Sequence, residues 1–219
     1  MAERKETRCV IVSAAPLAAS MKKLLRPGDY LIACGGGYRS TRQLLEREPD
    51  VILGDFDSAP EPEGTGAVVL PRVKDDTDTH YAAKLAVEKG FSQVLMLGAL
   101  GGHRLEHTLA NIGTGLWLAK QGVQVTLADE DSQLCYLMPG ETMELPYEPE
   151  EYFSVLPLEG RAEGVCERGA KYTLEDATLT TVDFPLGVSN ETLPGGATIT
   201  VRTGALLVIR TKKDHQLDR

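Results

Sequence analysis

The residues best suited to chemistry in this chain are carboxylates gathered at two points. Residues 51–58 read VILGDFDS, an apolar run that passes through a glycine into Asp55 and Asp57, spaced i and i+2. Side chains of a strand alternate with period two, so both carboxylates would point to one side if strand geometry persisted through them. Like charges held that close repel unless a cation or hydrogen-bond donors lie between them, and oxygen-rich clusters suit magnesium. Residues 74–78, KDDTD, add Asp75, Asp76 and Asp78 at the start of a predicted helix, beside Lys74. One acidic pair is as readily a solvated turn, and the helix dipole favours Asp78 in a first turn whatever its function. Two acidic clusters at two element ends point instead to a site for a metal and phosphate.

Glycines mark two further strand ends. Cys34-Gly35-Gly36-Gly37 closes a short apolar run, and a helix predicted over about 39–48 would offer its first amides to an anion. The run at 93–97 leads into Gly98, Gly101 and Gly102, then His103, Arg104, Glu106 and His107. Arginine grips phosphate oxygens in two-pronged fashion, and a glycine loop supplies free amides beside it. His107 reads equally as a helix-face residue with a structural hydrogen bond. There is no GxxxxGK[ST], which excludes a P-loop, and no GxGxxG after a strand, which leaves a dinucleotide site unsupported.

The elements that must position these residues alternate through the first half. Apolar runs at 9–13, 30–33, 51–53, 67–70, 93–97 and 124–128 predict strands of a parallel sheet, because strands buried on both faces read as continuous apolar stretches. Ligands of such sheets collect at the carboxyl ends of the strands. Helices are predicted over 16–25 and from a Thr77 cap to Lys89, where Gly90 follows, with Pro, Gly and Glu in a loop at 59–66. In the helix after Arg104, Leu105, Leu109, Ile112 and Leu116 form one apolar stripe, read as its core face. Beyond about Asp131 the texture changes to short β pieces at 142–145, 152–156, 177–181, 197–202 and 205–210, with a hairpin turn at Thr203-Gly204. The fold class is therefore α/β: an N-terminal βαβ-type domain with a parallel sheet over 1–130, then a smaller all-β sandwich over 131–219.

Composition sets the outer limits. The 219 residues have 42% hydrophobic and 25% charged content, as expected of a soluble globular protein. Lys+Arg of 23 against Asp+Glu of 32 leaves a net charge of −9, which speaks against a nucleic-acid partner. No run is long enough to span a membrane, and the first residues lack signal-peptide architecture, so a cytoplasmic location is expected. Cys9, Cys34, Cys135 and Cys166 form no CxxC pair and read as reduced thiols.

Taken together, ACGGG, LGDFDS, KDDTDT, GALGGHRLEHTLANI, GAKYTLEDATLT and GVSNE resemble the bacterial thiamine pyrophosphokinases, in family order and over nearly the whole chain. The resemblance implies transfer of diphosphate from ATP to the hydroxyethyl group of thiamine, giving thiamine diphosphate and AMP. It implies an α/β catalytic domain, a β-sandwich that helps bind thiamine, and a homodimer with sites between subunits. It places magnesium and the ATP phosphates on Asp55, Asp57 and Asp78. Gly35, Gly36, Lys74, Asp75, Gly101, Gly102, Arg104 and His107 would line the nucleotide. Ser189 and Asn190 would lie near thiamine, with Tyr172 a further candidate. The chain departs from the family's pattern in having Cys34 where Asp precedes the double glycine. GGRxDH becomes GGHRLEH, with one extra residue and Glu106 in place of Asp.

The residues fit that chemistry without the name. Attack of an alcohol on the β-phosphorus needs positioning and charge neutralisation more than covalent help. Lys74 and Arg104 would counter the developing charge, and either Asp78 or Asp75 would take the hydroxyl proton. A diphosphokinase acting on another alcohol, such as a hydroxymethylpterin, is the alternative on substrate. A haloacid-dehalogenase-like phosphatase, which also opens on an apolar strand ending in DxD, is the alternative on reaction. A non-catalytic nucleotide sensor is the third reading.

Overall fold

The computed structural model describes residues 7–54, 67–69, 76–182 and 186–214. Asp55, Asp57, Lys74, Asp75 and the loop at 59–66 lie outside the described residues. The chain divides into two units, Met1–Glu130 and Asp131–Arg219.

The first unit is built on parallel strands: β1 (Cys9–Val12), β2 (Tyr30–Cys34), β3 (Val51–Gly54), β4 (Ala67–Val69), β5 (Gln93–Leu97) and β6 (Gln124–Ala128). They lie in the order β4-β3-β2-β1-β5-β6. The chain builds outward from β1 through β2 to β4, then returns to β1's other side with β5. That reversal makes a topological switch point between β1 and β5, at whose carboxyl end ligands collect. β1 is buried throughout, and Val10, Val12, Leu31, Leu95 and Leu97 pack with Met21 and Leu45 into one core.

Helices α1 (Gly37–Gln43), α2 (Asp78–Glu88) and α3 (Leu105–Lys120) each begin near a strand end. α1 starts inside the glycine run, two residues before the predicted 39, and stops sooner. Gly37 itself sits against β1: a Cβ there would lie 2.2 Å from the Val12 carbonyl oxygen. The predicted helix at 16–25 is a 3-10 helix, Ala19–Leu24. Thr77 caps α2 as predicted, its side chain accepting from the His80 amide at 3.1 Å. α3 corrects the apolar-stripe reading. Leu105 and Leu109 are 67% and 61% exposed, while the buried residues are Asn111, Thr114, Gly115, Leu118 and Ala119. Small and polar residues let this helix pack closely, and the Asn111 amide reaches the Ala99 carbonyl at 2.8 Å.

The second unit is a sandwich. One sheet holds β7 (Ser132–Leu137), β13 (Leu206–Lys212) and β9 (Glu151–Pro157), with β13 central and antiparallel to both. The other runs β11-β10-β12-β8, from β8 (Thr142–Leu145), β10 (Arg161–Arg168), β11 (Leu174–Thr180) and β12 (Ala197–Thr200). Leu137, Val155, Val165, Ile199, Leu206 and Val208 from both sheets share one core. The hairpin predicted at Thr203-Gly204 is not formed, because β12 and β13 belong to different sheets. Those residues carry the chain from one sheet to the other, and a Cβ on Gly204 would lie 2.3 Å from the Arg161 carbonyl oxygen. Among the described residues no helix is long and apolar enough to cross a membrane, and no disulfide joins the four cysteines.

Candidate functional site

In the first unit the described candidate residues lie at the carboxyl ends of β1, β2, β3 and β5. Gly35 follows β2 with φ +49 and donates its amide to the Leu53 carbonyl at 2.7 Å. Gly54 ends β3, and a Cβ there would lie 3.3 Å from Gly35 Cα. The two glycines thus press two neighbouring strand ends together. Asp78, the first residue of α2, lays its carboxylate over them. Its Oδ2 would be 3.5 Å from a Cβ on Gly35 and 3.6 Å from one on Gly54. Asp55 follows Gly54 directly in sequence. Cys34, in the position where the resembled family carries Asp, is buried and points its thiol to the Asp78 carbonyl at 3.6 Å.

Contacts distant in sequence hold α2 there. Ser13, just past β1, shares a buried hydrogen bond of 2.8 Å with the Thr79 hydroxyl. Asp76 receives a Lys84 hydrogen bond at 2.7 Å, which holds its carboxyl below the usual range, and it faces His80 Nε2 at 3.9 Å. His80 Nδ1 meets the Thr114 hydroxyl at 3.1 Å, and its ring sits edge-on to Trp117 at 5.1 Å. Burial lowers the His80 pKa against the opposing pull of Asp76. Asp76 thus ties the start of α2 to its second turn, and His80 ties α2 to α3. Neither His80, Ser13 nor Thr79 stood out in the sequence, and only the capping position of Thr77 signalled this helix start.

The loop after β5 folds back on β1. Ser13 donates its amide to Leu97 and Ala15 to Gly98, and a Cβ on Gly98 would lie 2.5 Å from the Ser13 carbonyl oxygen. Gly101 and Gly102 have φ of +72 and +81, and space is open at Gly101. Arg104 caps α3, exposed, with its Nε on Glu106 Oε1 at 2.7 Å; this bond holds the Glu106 carboxyl below its ordinary pKa. His107, one turn on, is half-buried. Among the described residues no group of three or more His, Cys, Asp or Glu side chains is set to hold a metal.

In the second unit, Ser189 and Asn190 run beside β9, where Asn190 exchanges backbone hydrogen bonds of 2.8 Å with Phe153. Ser189 is exposed at φ +59, a conformation that costs a non-glycine residue energy and recurs at functional sites. The Asn190 side chain is buried, and its amide turns inward to Glu167 and Tyr172. Tyr172 is 62% exposed.

Two family models match this chain in turn: the thiamin pyrophosphokinase catalytic domain over residues 21–127 and the thiamin pyrophosphokinase vitamin B1 binding domain over 142–208. The chain belongs to the thiamin pyrophosphokinase family. Its activity is accordingly that of a thiamine diphosphokinase, a transferase of thiamine diphosphate synthesis. Solved structures agree in fold. Thiamine pyrophosphokinase from Bacillus subtilis matches with a TM-score of 0.81 at 23% identity, covering 95% of this chain and 100% of that one. The Geobacillus thermodenitrificans protein matches at 0.80 and 25% identity, covering 95% and 99%. The yeast protein matches at 0.79 and 13% identity, covering 97% and 88%. No curated protein matches in a sequence comparison. The two matched family domains fall one in each structural unit.

Proposed function

We propose that this thiamin pyrophosphokinase moves a diphosphoryl group from MgATP to the thiamine hydroxyl at the strand ends of its first unit, releasing AMP. The observation that carries this reading is the seat of Asp78 over Gly35 and Gly54, because the residue after Gly54 is Asp55. A carboxylate on a platform free of side chains leaves room for a hydrated cation and phosphate oxygens, and hard oxygen donors suit magnesium. The donor set Asp55, Asp57 and Asp78 therefore fits that metal. When bound, magnesium would neutralise phosphate oxygens around the scissile bond.

The chain's own groups do the rest. Gly35 and Gly36, without side chains, let the backbone come close to the triphosphate. Lys74 and Arg104 bring positive charge, Arg104 being released from Glu106 to do so, while Gly101, Gly102 and His107 border the nucleotide. Asp78 or Asp75 accepts the hydroxyl proton as the alcohol attacks in line. Ser189, Asn190 and Tyr172 belong to the thiamine side. The resemblance also implies a homodimer, and Leu105 and Leu109 are exposed apolar side chains that a second copy would cover. Sedimentation equilibrium distinguishes a dimer from a monomer of 23.7 kDa.

The test is Asp78→Asn assayed with MgATP and thiamine. Turnover should fall by about a hundredfold or more, the scale expected when transition-state charge loses its partner, with the circular dichroism spectrum unchanged. Near-normal turnover would remove Asp78 from the site.

A further inference from the structure

The second unit buries a carboxyl that a core has no use for. Glu167 lies on β10 at 1% exposure, facing the sandwich interior between Val165 and the loop that carries Asn190. Its Oε2 accepts from Asn190 Nδ2 at 2.7 Å, while its Oε1 is buried with no hydrogen-bond partner among the described residues. Burial raises its pKa to about 7, against the smaller opposing pull of the Asn190 bond. An orphaned buried oxygen is costly, and a core gains more from an apolar pair than from a buried carboxyl and amide that are only partly satisfied. Features that break packing rules in this way belong to places where position matters more than stability.

What Glu167 holds is a clamp. The Asn190 amide also donates to the Tyr172 carbonyl at 2.6 Å, and its Oδ1 accepts from the amides of Tyr172 at 3.0 Å and Glu191 at 2.9 Å. Every hydrogen-bonding position of the side-chain amide hydrogens is thus committed, so Asn190 serves as a junction. It ties the segment bearing the exposed Tyr172 ring to the turn bearing Ser189 in its left-handed conformation. Glu167 sets the orientation of that junction from inside the core.

We propose that Glu167 is a positioning residue for thiamine: through Asn190 it fixes the relative placement of Tyr172 and Ser189. This rests on the reading that thiamine is bound by those two residues. It assigns Asn190 an inward role and adds a residue, two positions before GAKYTL, that no motif contains.

The discriminating variants are Glu167→Gln, which keeps the reach and loses the charge, and Glu167→Asp, which keeps the charge and withdraws it by one methylene. Steady-state kinetics with thiamine and MgATP should show the thiamine KM of Glu167→Asp raised about tenfold, the scale of one lost buried hydrogen bond. Its kcat and ATP KM should stay within about twofold, and Glu167→Gln should match the wild type in all three. The proposal is overturned if Glu167→Asp keeps the wild-type thiamine KM. It is equally overturned if Glu167→Gln is as impaired as Glu167→Asp, since the reach that Gln keeps would then not suffice to hold the junction. A wild-type protein that shows no thiamine-dependent turnover would instead refute the underlying assignment of thiamine, and this proposal with it.

Discussion

Replacing Glu167 by Gln should change how stability depends on pH, in a direction and amount the structure supplies. In the folded protein burial raises the Glu167 pKa to about 7, from an ordinary 4.5. A carboxyl whose folded pKa lies above its unfolded one contributes stability that is fully present below the unfolded value and is lost as pH rises toward the folded value. The whole gap corresponds to about 3 kcal/mol at about 1.4 kcal/mol per pH unit. Between pH 5.5 and pH 8 the wild type should lose roughly 2 kcal/mol on this account, because part of the loss has already occurred by pH 5.5. Gln cannot ionise and so carries no such dependence on pH. Urea unfolding of both proteins at the two pH values, followed by circular dichroism, isolates the effect, since every other titrating group cancels in the comparison. Relative to the wild type, Glu167→Gln should gain about 2 kcal/mol on going to pH 8. A difference between the two proteins that stays constant with pH would refute the claim that the carboxyl is buried as described.

Other consequences follow from the first unit. Asp57→Asn should abolish magnesium-dependent turnover while leaving the circular dichroism spectrum unchanged; retained activity would move the metal elsewhere. Gly37→Ala forces a methyl group to 2.2 Å from the Val12 carbonyl oxygen. It should cost about 2 kcal/mol or more and lower the melting temperature by roughly 5 °C. An unchanged melting curve would mean that α1 does not press on the end of β1.

Much of the first unit was legible because of its layering. Strands buried on both faces read as unbroken apolar runs, so β5 and β6 stand at the predicted residues, and the Thr77 cap announced α2. α3 misled because its buried face is made of Asn111, Thr114 and Gly115, leaving its most obvious leucines outside. In the second unit, β7 and β10 escaped notice. β10 carries charges at both ends, Gly164 inside and register shifts on either side of Val165, so no alternation survives. Thr203-Gly204 has a hairpin's turn residues, yet a local signal cannot say which sheet the next strand joins. The acidic clusters and glycine ends mark a candidate site in the sequence, since chemistry needs particular residue types, and the structure brings Asp78 over Gly35 and Gly54. Its supports, Ser13 on Thr79 and His80 on Thr114, join residues 66 and 34 positions apart and have no local signature. Glu167 carries no signal in the sequence, and only the sandwich shows it buried.

The central claim is that the transferred group is a diphosphate. ATP carrying heavy-oxygen label on both its β- and γ-phosphates, incubated with the protein, magnesium and thiamine, tests this most directly by mass spectrometry of the products. The account predicts thiamine diphosphate bearing both labelled phosphates and AMP bearing neither. Labelled ADP with thiamine monophosphate would contradict it.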